Sequence, residues 1–176
     1  ALFDLAAARP EPIPFFGELG AINPVFVLTE ALAARGSEIG SAWAGSLTMG
    51  VGQFCTNPGV VVLPEGAGRE AFLAAAQAGL DSVGAATMLS EGIAETYRTG
   101  VAAASAEPGV QVVVRSECDS RSATPALLTV SAADWLANDA LAEEVFGPMG
   151  IVITASSPEQ MLDVARSLKG QLTATL

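Results

Sequence analysis

Histidine is absent from this chain. Its absence removes the Ser/His/Asp and Cys/His nucleophile systems and most zinc sites, so no metal ligand set is expected. A nucleophilic cysteine here would need activation by a carboxylate, a bound cation, a helix N-terminus or backbone N–H groups. Basic residues are scarce, 8 against 19 acidic ones, and the net charge of −11 repels phosphate backbones. Nucleic acid is excluded as a partner, and the acidity reads as solubility. With only two cysteines, far apart, there is no disulfide framework, and a reduced cytoplasmic setting is expected. Apolar residues make up 51% of the chain, yet no run approaches the roughly 18 to 20 residues that span a bilayer. The runs Val25 to Leu28 and Val60 to Leu63 are strand-sized. The N-terminus also lacks the pattern of a secretory signal. No internal repeat, low-complexity segment or clear linker interrupts the 176 residues, which suffice for a single domain with a substantial core.

Alternating strand and helix signals run along the chain. Pro10, Pro12 and Pro14 make the first dozen residues an extended connector ending at Phe15-Phe16. A strand follows at Val25 to Leu28. Thr29 caps a short helix that ends at Gly36, and Ser37 caps another whose Ile39, Trp43 and Leu47 share one face. Strands are expected at Gly59 to Leu63, Val110 to Arg115, Leu127 to Val130 and Ile151 to Thr154. Helices are expected over Arg69 to Ala78, around Ile93, Tyr97 and Val101, and after Ser131 and Ser157. Pro158 at the first helical position and Gly170 beyond the end frame the last of these. The class is α/β, three-layered, with a mainly parallel sheet. Because the chain opens at Ala1 and closes on the alternating run Gln171 to Leu176, both ends are expected to continue into something longer.

Three clusters carry candidate chemistry. Gly52 to Gly59 sets Cys55 among Gly, Asn and Pro residues, which build exposed turns and weaken the commoner reading of cysteine as a small buried hydrophobe. Phe16 to Gly20 places Glu18 among apolar residues and glycines, where burial would raise its pKa and suit it to proton transfer. Glu143 to Pro148 pairs two acids with Phe146 and a turn. Taken singly, a solvated loop glutamate and a helix end before a turn explain the last two as well. Cys118, between Glu117 and Asp119, has neighbours that disfavour a thiolate and is read as structural. Arg115 and Arg121 could pair with a substrate carboxylate, but solvated arginines are commoner and neither is given a role.

In this order the three clusters resemble the active-site cysteine, general-base and cofactor-ribose motifs of the aldehyde dehydrogenase superfamily. The resemblance extends over essentially the whole chain. Glu18-Leu19-Gly20-Ala21-Ile22-Asn23-Pro24 and Gly52 to Gly59 look closest to the α-ketoglutarate semialdehyde (2,5-dioxovalerate) dehydrogenase branch, with fatty aldehyde dehydrogenases an alternative. Ala21, Ile22 and Asn23 stand where most members carry Gly-Lys-Ser or similar. The resemblance implies that Cys55 attacks an aldehyde and that Glu18 activates the water that hydrolyses the resulting thioester. It further implies that Glu144 binds the nicotinamide ribose, that Phe146 packs near the ring, and that the full-length enzyme is oligomeric. NAD or NADP is the implied cofactor. No Gly-x-Gly-x-x-Gly follows a strand, so the diphosphate and adenosine would be held by a separate nucleotide-binding domain, and residues 1–176 are expected to be a single catalytic domain. A catalytically silent α/β module for binding or assembly remains the reading from another class, and an acylating enzyme that passes its thioester to coenzyme A is disfavoured by Glu18.

Overall fold

The computed structural model describes all residues, 1–176. Its elements are α1 (Leu2–Ala7), β1 (Val25–Phe26), α2 (Thr29–Thr48), β2 (Val60–Pro64), α3 (Arg69–Asp81), β3 (Ala86–Thr87), α4 (Glu91–Ser105), β4 (Gln111–Val114), β5 (Ser122–Ala123), β6 (Ala126–Ser131), α5 (Ala132–Leu136), β7 (Met149–Ala155) and α6 (Pro158–Ser167). The main sheet has the order β1-β2-β7-β6-β4, and β3 pairs with β5 in a small ribbon. β1, β2, β7 and β6 are parallel neighbours, while β4 lies antiparallel against β6 at one edge.

Strands buried on both faces carry continuous apolar runs, and alternate residues then feed two separate cores. Val61, Leu63, Leu127 and Val152 pack with Trp43, Leu47, Phe72 and Leu80 of α2 and α3. Val60, Val62, Leu128, Ile151 and Ile153 face the other way, toward Tyr97 and Val101 of α4, Trp135 of α5 and Val164 of α6. The result is the expected three-layer arrangement, helices covering both faces of a mainly parallel sheet. The caps expected at Ser131 and Ser157 hold, since Ser131 Oγ accepts from Asp134 N–H and Ser157 Oγ from Gln160 N–H.

Three expectations are corrected. Residues Leu2–Ala7 form α1 rather than an extended connector, because the prolines bar a helix only from Pro10 onward and the preceding Leu, Phe and Ala residues tolerate one. The expected division near Gly36 is present, since Arg35 at φ −138° and ψ 23° separates two helical stretches within α2, but Leu28 rather than Thr29 is the N-cap and Ser37 makes no capping hydrogen bond. Gly36 is also a packing residue, since a Cβ there would lie 2.4 Å from Gly68 O. Gly40, one turn later, meets Phe72 O at the same 2.4 Å, so the two glycines let α3 approach the α2 backbone. The terminal run contributes one bridge, between Thr175 and Val25, beside β1.

Alanine at position 40 sets two effects against each other. Helix propensity favours it by about 1 kcal/mol, whereas overpacking against a backbone carbonyl costs typically about 1–3 kcal/mol. The carbonyl cannot yield as a side chain would, so Gly40→Ala is expected to lower the urea unfolding midpoint. A raised midpoint would show that α2 and α3 separate at little cost.

Candidate active site

Each of the three motif segments ends where a parallel strand begins. Glu18 to Pro24 enters β1, Gly52 to Gly59 enters β2, and Glu143 to Pro148 enters β7. Because those strands are parallel and adjacent, the three segments meet at one edge of the sheet. Local geometry holds them there. After α2, a 3₁₀ turn at Met49–Gly52 carries Gly50, Val51 and Gly52 at φ of 57°, 60° and 65°, a left-handed stretch in which the β-branched Val51 is strained. Gly52 touches the backbone of the third segment, where a Cβ would lie 2.3 Å from Gly147 C. Gly147 in turn leaves no room for a Cβ, 2.3 Å from the Tyr97 ring.

Hydrogen bonds complete the junction. Asn57 Nδ2 donates to Gly147 O at 3.0 Å, and Trp43 Nε1 donates to Pro58 O at 2.8 Å. Asn23, only 2% exposed, donates through Nδ2 to Cys55 O at 2.9 Å and to Asn57 O at 3.0 Å. The Ala21 N–H donates to Glu144 Oε2 at 3.3 Å. Ala21, Ile22, Gly52, Asn57, Glu144 and Phe146 line the crevice where these segments converge.

Cys55 lies on the turn after Gln53 and is exposed. Its N–H makes no hydrogen bond, so it is free to receive an oxyanion. Glu18 is exposed rather than buried, because its segment leaves the sheet edge and leaves Phe16 and Leu19 in solvent as well. It makes no hydrogen bond or ion pair, but its charge acts on Glu144. Desolvation pushes the Glu144 carboxyl above its usual value, the Ala21 N–H opposes this, and the Glu18 charge adds to the rise. Glu144 as a residue remains solvent-exposed, so the desolvation is local to the carboxylate facing Gly20 and Ala21. Phe146 is half-buried beside it. The crevice lining contains Glu143 and Glu144 and no basic residue. The lining therefore offers carboxylate acceptors for hydroxyl groups and no cation for a diphosphate.

The remaining candidates lie elsewhere. Cys118 Sγ, half-buried, donates to Ser122 O at 3.3 Å, and Arg121 Nε donates to Met88 O at 2.7 Å, so both serve the fold of their loop. Sequence reasoning noted Asn23 only as a departure from a motif. It did not find Asn23 or Asn57 as anchors. The one available signal was an amide side chain in each of two turn segments flanked by proline.

The fold has known counterparts. A solved NAD-dependent benzaldehyde dehydrogenase from Corynebacterium glutamicum superimposes with a TM-score of 0.78 at 19% identity, covering 97% of this chain and 38% of that one. An NADP-dependent glyceraldehyde-3-phosphate dehydrogenase from Bacillus halodurans gives 0.74 at 19% identity over 89% of this chain and 33% of that one. The fold is thus one found within aldehyde dehydrogenases. No protein-family model matches the chain. In sequence, the chain is 42% identical over 181 residues to α-ketoglutaric semialdehyde dehydrogenase 2 of Azospirillum brasilense and 38% identical over 182 residues to α-ketoglutaric semialdehyde dehydrogenase of Acinetobacter baylyi. Both matches cover 100% of this chain and 34% of the relative, so the chain spans about a third of their length. Over its full length the chain thus resembles aldehyde dehydrogenases in fold and, in sequence, α-ketoglutaric semialdehyde dehydrogenases. No helix in it is long and apolar enough to cross a membrane.

Two outcomes follow from the geometry. A thiol alkylating reagent is expected to modify Cys55 faster than Cys118, as read by mass spectrometry after limited reaction, because Cys55 is exposed and Cys118 half-buried. Preferential labelling of Cys118 would contradict the placement of the turn. The second concerns pH. A carboxyl whose folded pKa lies above its unfolded value disfavours the folded state once ionised, so its contribution worsens as pH rises through the unfolded and then the folded value. Glu144→Gln is therefore expected to gain stability relative to the parent as pH rises through the carboxylate range, measured as the difference in unfolding midpoint. A difference independent of pH would show that Glu144 is not desolvated.

Proposed function

We propose that this chain is the catalytic domain of an NAD(P)-dependent aldehyde dehydrogenase that oxidises a short oxo-acid semialdehyde, 2,5-dioxovalerate, to the carboxylic acid. The observation that carries the reading is the junction of the three motif segments at one sheet edge, with the Cys55 thiol exposed and its N–H unpaired. The identity to two α-ketoglutaric semialdehyde dehydrogenases supports the substrate class.

Cys55 Sγ, as thiolate, attacks the aldehyde carbon to form a thiohemiacetal, and the Cys55 N–H stabilises the oxygen as it gains charge. Bound oxidised nicotinamide supplies the hydride acceptor for conversion of that adduct to a thioester. Glu18, exposed and so open to solvent, then takes a proton from water that attacks the thioester carbon, releasing the acid and restoring the thiol. Glu144 accepts hydrogen bonds from ribose hydroxyls, and Phe146 packs at the ring. A nucleotide-binding domain outside these residues holds the diphosphate, for which the crevice has no cation.

The test is reduced-nicotinamide absorbance with 2,5-dioxovalerate and with long-chain aldehydes, using the protein in which this chain is joined to its nucleotide-binding domain. Turnover is expected to favour the semialdehyde. Cys55→Ala is expected to abolish it, and Glu18→Gln to lower kcat by about 10²–10⁴-fold, the usual contribution of a general base, while a burst of one equivalent of reduced cofactor persists. Residues 1–176 alone are expected to bind neither cofactor tightly and to oxidise no aldehyde, because a near-attack distance of about 3–3.5 Å requires the nicotinamide to be held. Sustained oxidation by Cys55→Ala would overturn the mechanism, and tight cofactor binding to the isolated residues would overturn the division into domains.

A further inference from the structure

We propose that Asn23 is a positioning residue for the nucleophile, tying the Cys55 turn to the segment 171–173. The proposal rests on the reading of Cys55 as the reacting thiol. Asn23 Nδ2 supplies the only hydrogen bond made by the backbone of Cys55, whose N–H is free and whose carbonyl has no other donor. On the opposite side, Asn23 Oδ1 accepts from Thr173 N at 3.0 Å and from Thr173 Oγ1 at 3.1 Å. With the bond to Asn57 O, both amide donors and both acceptor sites of the side chain are used.

The chemistry of the neighbours fixes the orientation of the amide. Two carbonyls can only accept and the Thr173 N–H can only donate, so the amide cannot be reversed without losing these bonds. Aspartate has no donor, serine has one, and glutamine is a methylene longer, so none reproduces the set. The backbone around Asn23 is fixed as well. Its φ is 45°, and the Ile22 and Asn23 N–H groups both donate to Gln171 Oε1, at 2.7 and 3.0 Å. Here the arrangement transmits the position of residues 171–173 to the turn that presents the thiol.

The test uses alkylation of Cys55 relative to Cys118 in the same molecule, followed across pH by mass spectrometry, with amide hydrogen exchange at Asn57 and Gly59. Asn23→Asp sets a carboxylate against the Cys55 and Asn57 carbonyls and places negative charge one hydrogen-bond length from the Cys55 backbone. Its pH–rate profile for Cys55 is expected to move upward by roughly one unit, about tenfold slower at neutral pH, with Cys118 unchanged. Thr173→Val touches neither Cys55 nor Asn57. It is nonetheless expected to speed exchange at Asn57 and Gly59 and to change the Cys55 rate by a smaller factor. A folded Asn23→Asp variant with the parental Cys55 profile would overturn the proposal. If Asn23→Asp does not fold, an unchanged Cys55 rate and unchanged exchange in Thr173→Val would overturn it instead. Coupling that persists in a protein that turns over no aldehyde would support the positioning role while removing the dehydrogenase reading.

Discussion

The backbone of Gly52 lies against that of Gly147 with no space for a side chain on the first, and this contact brings together two loops separated by most of the chain. It is reached through three successive left-handed residues after α2, a conformation that costs energy at Val51 and that the surrounding packing must impose. Trp43 holds the far side of the turn through Pro58 O, while its ring packs against Gly150 in β7. The strain is thereby paid for by a core that would otherwise need no such turn, and the outcome is an exposed cysteine with a free N–H.

The junction lies at the amino ends of β1, β2 and β7. Open parallel sheets more often bind ligands beyond the carboxyl ends of their strands, at a point where the strand order reverses. In this chain the carboxyl edge holds a polar hollow containing Glu65, Glu70 and Asp134 beside Arg69, with no convergent reactive group. The amino edge instead gathers a thiol, amide side chains and carboxylates, and the helix face on each side of the sheet only supports it. A site built from three incoming loops on one edge is open toward solvent, and the proposed nucleotide-binding domain would close it there.

Much of the organisation was legible in the residues. Apolar runs bounded by Gly, Pro and Asn marked β2, β6 and β7, and Ser157-Pro158 marked the start of α6, because strand burial and helix capping act over a few neighbouring residues. The segments around Glu18, Cys55 and Glu144 stood out through their resemblance to a known family rather than through local propensity. The status of Gly36 was not visible, since a glycine that ends a helix and one that admits a neighbouring helix are the same letter. Nor was the exposure of Glu18, which depends on where its segment runs after the sheet edge rather than on its own neighbours.

Local propensity, charge and side-chain chemistry were enough to read from the residues the alternation of strands and helices, the net negative field and the side chains that could carry chemistry. It took the folded chain to bring the three motif segments to one edge, to desolvate the Glu144 carboxylate, and to commit all four hydrogen-bonding sites of Asn23 to Cys55, Asn57 and Thr173. These depend on pairings between residues up to 150 positions apart. Strand order and register set such pairings, and no local pattern encodes them.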